Sequence, residues 1–218
     1  MLKNAVFFLI ALFLFFPETP VSAEDSGAAI YNFEGKASLR RDNTVYQLDY
    51  DMPCKLNDIL RSDKDGFIDI TMKLFAAARL TGATECRIEE VQTNNRHLKL
   101  NYGTLLVNLK PLPPDGSFAI ETPIVIASVN SAQFTPKPKN NLFLVQHFKP
   151  KEGIPYTVAI TRAGNLSVFV KESHTTVTML EEQVLEIKEG SFAPTARNAT
   201  EEDLVPLEKA NSIYITED

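Results

Sequence analysis

The chain has 218 residues, a formal net charge of −6 and 44% hydrophobic residues, apolar material for one large domain or two small ones. An acidic balance argues against a phosphate-binding surface and so against nucleic acid as a partner. The absence of Trp weakens a carbohydrate platform built on aromatic stacking, although 6 Tyr and 14 Phe are present.

Residues 1–23, MLKNAVFFLIALFLFFPETPVSA, carry one basic residue, Lys3, and then an uninterrupted apolar stretch from Ala5 to Phe16. That run is shorter than the roughly 20 residues a bilayer span needs, and Val21-Ser22-Ala23 supplies the small residues a signal peptidase accepts. The segment reads as a signal peptide cleaved after Ala23, with an uncleaved anchor as the alternative. Cleavage leaves 218 − 23 = 195 residues, and because Lys3 and Glu18 cancel, the net charge stays at −6. No other segment approaches spanning length, so the expected product is periplasmic or secreted, without a membrane span.

After this segment the apolar pattern has a period near two, in short runs between turn residues. In chain order the predicted strands begin with AAIYNFEG, KASLRR, TVYQLDY, CKLNDIL, FIDITMKL, ARLTG, TECRIEEV, RHLKLNY and TLLVNLK. They continue with FAIET, IVIASVN, LFLVQHF, YTVAITR, LSVFVK, TTVTML and QVLEIK. Asp42-Asn43, Asp65-Gly66, Asn94-Asn95, Asp115-Gly116, Gly153 and Gly164-Asn165 supply residues that tolerate the positive φ of tight turns. Such spacing predicts consecutive strand neighbours rather than the helical crossovers of an α/β protein. TPKPKNN, with two prolines that cannot donate to a ladder, reads as a loop. The tail from residue 191 to 218 is acidic and ends in a predicted strand, NSIYITED; only NATEEDLVPLEKA within it shows a helix signal, Thr200 acting as a cap and Pro206 limiting the helix to a turn or two.

Chemistry-bearing residues are sparse. Cys54 and Cys86 are the two cysteines; in an oxidising compartment they either pair, closing a loop of roughly 30 residues for about 3 to 4 kcal/mol, or remain separately buried thiols. His97, His147 and His174 show no ligand spacing relative to them, so no metal site is expected. DKDGFID spells part of a calcium loop but lacks the alternating ligands and terminal Glu, and reads as a hairpin turn. Glu85, Glu89 and Glu90 read as a solvated strand face, and no serine lies in a nucleophile elbow. Asn165-Leu166-Ser167 and Asn198-Ala199-Thr200 fit the N-glycosylation rule, which matters only in a eukaryotic secretory pathway. The chain is therefore expected to have no catalytic residues and no cofactor.

Five stretches together carry the pattern of one known family. GKASLRRDNTVYQL resembles that family's opening hairpin; in LNDILRSDKDGFIDITM, Asp58, Leu60 and Ser62 stand where the family places an Asp, an aliphatic and a Thr. LKLNYGTLLVNL is similar to its leucine and glycine strand pair, FAIETPIVIASVNSAQF to its Thr-Pro signature, and TVAITRAGNLSVFVKESHTTVTMLEEQVLEI to its trailing strands. Through these stretches the chain resembles the FecR domain of bacterial cell-surface signalling regulators; the match covers roughly residues 30 to 188, with Ser131-Ala132 where the family has Gly-Thr and KLFAAARL where it has an Asp-Gly-Ser turn. It implies an all-β domain over residues 24–190, a twisted antiparallel sandwich or short solenoid of many short strands. It further implies an exported module that binds an envelope protein, or alternatively a structural protein associated with cell-wall glycan.

Two local expectations complete the reading. Val125, Ala127 and Val129 share one parity and Phe134 the other, which predicts a bulge or kink at Asn130-Ser131, with Asn130 suited to the left-handed region. The strand Ile124 to Val129, apolar on both faces, is predicted to be covered on both sides. Strand edges at the two ends of the chain, at Tyr31 and Phe33 and at Ile213, Tyr214 and Ile215, are predicted to be available for strand addition by a partner.

Overall fold

The computed structural model describes residues 27–73, 75–92, 94–133, 140–208 and 212–213; the segment expected to be a signal peptide, Phe134, Tyr214 and Ile215 lie outside them. Fifteen strands form one sheet that is not closed into a barrel. They are β1 (Ala29–Glu34), β2 (Ala37–Arg41), β3 (Thr44–Gln47), β4 (Ile59–Ser62), β5 (Phe67–Met72), β6 (Ala76–Val91), β7 (Asn95–Leu109) and β8 (Ser117–Glu121). Then come β9 (Val125–Asn130), β10 (Asn141–Phe148), β11 (Tyr156–Ala163), β12 (Leu166–Val170), β13 (Thr175–Met179), β14 (Gln183–Lys188) and β15 (Arg197–Asn198), followed by helix α1 (Glu201–Glu208).

Two of these strands are long, and they organise the rest. β6 and β7 pair as one antiparallel hairpin that bends midway, where the register passes from Thr81 opposite Thr104 to Glu85 opposite Tyr102. Three intervening residues of β6 face one of β7, so the ladder breaks and the hairpin turns. Gly82 and Gly103 adopt φ of +66° and +99° at the bend. Thr84 plugs the gap, its Oγ1 donating to Thr81 O at 2.8 Å and accepting from Thr104 N at 2.9 Å. Both strands exchange neighbours there. Before the bend β6 pairs with β5, and after it with β4; β7 pairs in parallel with β8 through Asn95–Lys99 and antiparallel with β10 through Gly103–Leu109.

Two sheets result, sharing the hairpin. Sheet I runs β1-β5-β6-β7-β10-β11-β14-β15, and sheet II runs β3-β2-β4-β6-β7-β8-β9-β12-β13. Their inner faces meet in one apolar core that includes Leu80, Leu105, Val107 and Val145 of sheet I and Ile88, Leu98, Ile120 and Val168 of sheet II. Phe118 and Phe143 touch edge to face across it, ring centroids 6.1 Å apart.

The outer faces differ. Sheet I is apolar outside as well: Ala77, Leu106, Leu144, Ile160 and Val184 pack against Leu204 and Leu207 of α1 and against Ile213. The helix begins with a reciprocal cap, Thr200 Oγ1 accepting from Asp203 N at 3.3 Å and Asp203 Oδ2 accepting from Thr200 N at 2.8 Å. Arg197 and this backbone donation hold the Asp203 carboxyl well below the usual carboxylate range. Among the described residues no helix covers the outside of sheet II, and that face is largely polar, carrying Arg87, His97, Lys99 and Glu121 beside half-buried Ile126 and Phe169.

Two expectations are corrected here. The irregularity at Asn130-Ser131 is a strand end followed by a single 3-10 turn, Ser131–Gln133, and neither residue has a positive φ. Ser131 N donates to Gly116 O at 2.9 Å, which anchors the turn without any left-handed residue. The strand following Pro123 is buried on one face only: Val125, Ala127 and Val129 face the core while Ile126 and Ser128 are half-buried. Strands covered on both sides occur in sheet I, at β10 and β11.

Candidate functional site

The first predicted edge is occupied. Residues 49–54 fold back along β1, with Asp51 at φ 58° making the turn. Ile30 N donates to Met52 O at 2.9 Å, Asp51 N to Ile30 O at 2.8 Å and Cys54 N to Ala28 O at 2.9 Å. Backbone groups of Ala28 and Ile30 that a partner strand needs are thus already used, and Phe33 N donates to Asn32 Oδ1 at 2.9 Å. Tyr31 is exposed, whereas Phe33 packs against the core and against the Tyr50 ring at 5.3 Å. At the chain end Ile213 is buried in the second core, its carbonyl accepting from Asn108 Nδ2 at 3.3 Å; Tyr214 and Ile215 lie outside the described residues.

Sheet II supplies the open edges. Among the described residues β3 pairs with β2 alone, and all four of its residues are exposed. Among the described residues β13 pairs with β12 alone, with Thr175, Thr176 and Thr178 exposed. Neither strand contains a charged residue or a proline, the devices with which edges are usually blunted. Sequence periodicity found both strands but not their places, because an edge strand and a central strand with one solvated face alternate alike.

A shallow groove of about 560 Å³ lies beside the end of β3, where the chain crosses from β1 to β2. Phe33, Leu48 and Tyr102 give it apolar surface, while Ser38, Gln47, Arg61 and Asp63 line it with polar groups. Two of the three carboxylates expected on a solvated strand face are ion-paired instead, and Glu85 is buried. Glu85 accepts from Arg61 Nε and from Asn101 Nδ2, the latter at 2.7 Å, and Glu89 accepts from Arg87 Nε at 2.7 Å. Among the described residues no cluster of His, Cys, Asp or Glu has the arrangement of a metal site.

The histidines separate by environment. His97 lies 3.2 Å from Glu121, a carboxylate also met by Lys171 at 2.6 Å. His174, at φ 53°, turns the chain between β12 and β13. His147 is buried, and its Nδ1 lies 3.0 Å from Thr157 Oγ1, which in turn lies 3.1 Å from Thr122 Oγ1. This chain of three polar side chains pins sheet I to the β8–β9 turn of sheet II. Burial first, and Lys149 second, lower the His147 pKa below its ordinary 6.5. A group favoured neutral in the fold contributes its full stability above 6.5 and loses it as pH falls toward the lowered folded value. Thermal melts should therefore fall more steeply between pH 7 and 5 for the native chain than for His147→Gln; equal slopes would show that His147 is not the group that charges.

Cys54 and Cys86 are free, buried thiols. Burial, then Asp58, pushes Cys54 up to about 12, and burial pushes Cys86 up as well. Thiols held protonated are poor nucleophiles, so a catalytic role has no support in this geometry.

No family model matches the chain, and no curated protein matches it. Among solved structures, two crystal structures of a protein from Parabacteroides distasonis ATCC 8503, described as a "putative anti-sigma factor", share the fold, each with a TM-score of 0.51 at 14% identity. The superposition covers 65% of this chain and 59% of that one, so the chain spans well under two thirds of its neighbour.

Proposed function

We propose that the chain is an exported, FecR-like interaction module of the bacterial envelope, connected with cell-surface signalling, that recognises an extended segment of another envelope protein by strand addition at β3. The observation that carries this reading is the free, uncharged backbone edge of β3 beside a mixed aromatic and polar groove. Main-chain hydrogen bonds to the edge supply affinity, and the groove supplies choice among side chains. The FecR-like stretches and the fold shared with a protein described as an anti-sigma factor favour signalling. The groove's Phe33 and Tyr102, beside Ser38, Gln47 and Asp63, also favour a second reading, binding of cell-wall glycan.

A photo-crosslinking phenylalanine analogue at Gln47, used in intact cells, tests the first reading. Capture of an envelope protein that is lost when Val45→Lys blunts the edge supports it. Capture unchanged by Val45→Lys removes it, and co-sedimentation of the purified protein with peptidoglycan, without protein capture, favours the glycan reading. Intact mass of the recovered protein, beginning at Glu24, tests export by cleavage after Ala23.

A further inference from the structure

The opposite edge of sheet II carries a different message. From Ser173 to Leu180 the chain contains no Asp, Glu, Lys or Arg, and four of the five residues of β13 are β-branched. That is the composition of a strand suited to a ladder, yet among the described residues β13 has a ladder on one side only. Its five residues are also complementary to themselves when run antiparallel. A two-fold axis at Val177 sets Thr176 opposite Thr178 of a second copy, Thr178 opposite Thr176, and Thr175 opposite Met179.

Faces match in that register. Thr176 is paired with Phe169 and Thr178 with Ser167, residues on the solvent side of β12, so Thr176 and Thr178 of both copies meet on the outer face. Val177, paired with Val168, and Met179, paired with Leu166, stay on the core side. Cross-strand Thr pairs are favourable on a sheet surface, and a one-residue slip would turn core-side residues outward. Glu172 and Glu182, which lie equally far from Val177, do not join the ladder: His174 and Glu182, both at φ 53°, turn the chain away at each end.

We infer that β13 is a self-association edge, joining sheet II of two copies of this chain into one continuous antiparallel sheet across a two-fold axis. Five residues on each side make a small contact, so the dimer forms in a concentration-dependent way rather than obligately.

Sedimentation velocity over a concentration series tests it, with charge placed at the two outer-face threonines, Thr176 and Thr178. Thr176→Lys with Thr178→Lys sets lysine against lysine twice and raises the monomer–dimer midpoint by at least about tenfold. Thr176→Lys with Thr178→Glu sets lysine against glutamate twice in the proposed register and restores association to the native level or better. Circular dichroism melts of both variants keep a folding defect distinct, since both sites are exposed. A native chain that stays monomeric over the series, a dimer indifferent to the lysine pair, or equal loss in both charge variants would each overturn the proposal. Strand addition at β3 is unaffected by any of these outcomes.

Discussion

Gly103→Ala is expected to lower stability by about 3 to 5 kcal/mol, read as a shift in the urea midpoint. Two independent costs combine. The backbone at φ +99° is closed to side-chain-bearing residues, and a Cβ built there would stand 2.2 Å from Thr84 Oγ1 and 2.5 Å from Thr84 Cα. Thr84 cannot withdraw, because its hydroxyl bridges Thr81 and Thr104 across the bend. Gly190→Ala is the control for the first cost alone: its φ is +85° and nothing lies within 4 Å of the added carbon, so a loss of only about 1 kcal/mol is expected. Equal losses at both sites would mean that the bend has room and that Thr84 is no plug.

Asp69→Ala is expected to cost about 3 to 5 kcal/mol by stranding Arg79. The two residues are directly opposite in β5 and β6, and Asp69 accepts two hydrogen bonds, from Arg79 Nε at 2.6 Å and Nη2 at 2.7 Å. Side-chain exposure is only 14% for the arginine and 4% for the aspartate, and Phe67 lies 4.4 Å from the guanidinium. The same fork holds Arg41 to Asp58 at 2.8 and 2.7 Å, but there the arginine is 26% exposed and water takes over part of the role, so Asp58→Ala should cost less. Adding Arg79→Met to Asp69→Ala should recover more than half of the loss; no recovery in denaturant melts would place the cost in Asp69's other surroundings.

Strand positions were legible because alternation is a local property. TTVTML, QVLEIK and LSVFVK emerge as β13, β14 and β12 almost residue for residue. ARLTG and TECRIEEV, by contrast, read as two strands and are one, as are RHLKLNY and TLLVNLK, since Gly82 and Gly103 interrupt the pattern just as a turn would. Whether a glycine reverses a chain or only bends it depends on the partner strand, which alternation does not encode. CKLNDIL fails differently: residues 54–58 form a turn in which Asp58 Oδ2 accepts from Lys55 N at 2.7 Å, a local bond that competes with the ladder.

The functional surface was least legible. Aromatic residues at Tyr31 and Phe33 suggested an exposed edge, yet occupation of that edge by residues 49–54 is a tertiary fact. Ile213 belonged to an expected strand edge and instead helps cover sheet I, for which the signal was present in β10 and β11, whose unbroken apolar runs require a cover on each side. Bareness of β3 and β13 follows only from knowing which strands have one neighbour.

The bent hairpin also governs how the molecule comes apart. Since β6 and β7 belong to both sheets, neither sheet keeps its full complement of neighbours once the other is lost. Separate melting of the two sheets is thereby disfavoured, and the chain is expected to unfold as a single cooperative unit. In native-state hydrogen exchange the amides on either side of Gly103, at Leu98 and Leu100 and at Leu105 and Val107, open together at the global free energy, while β13, β15 and α1 fray first.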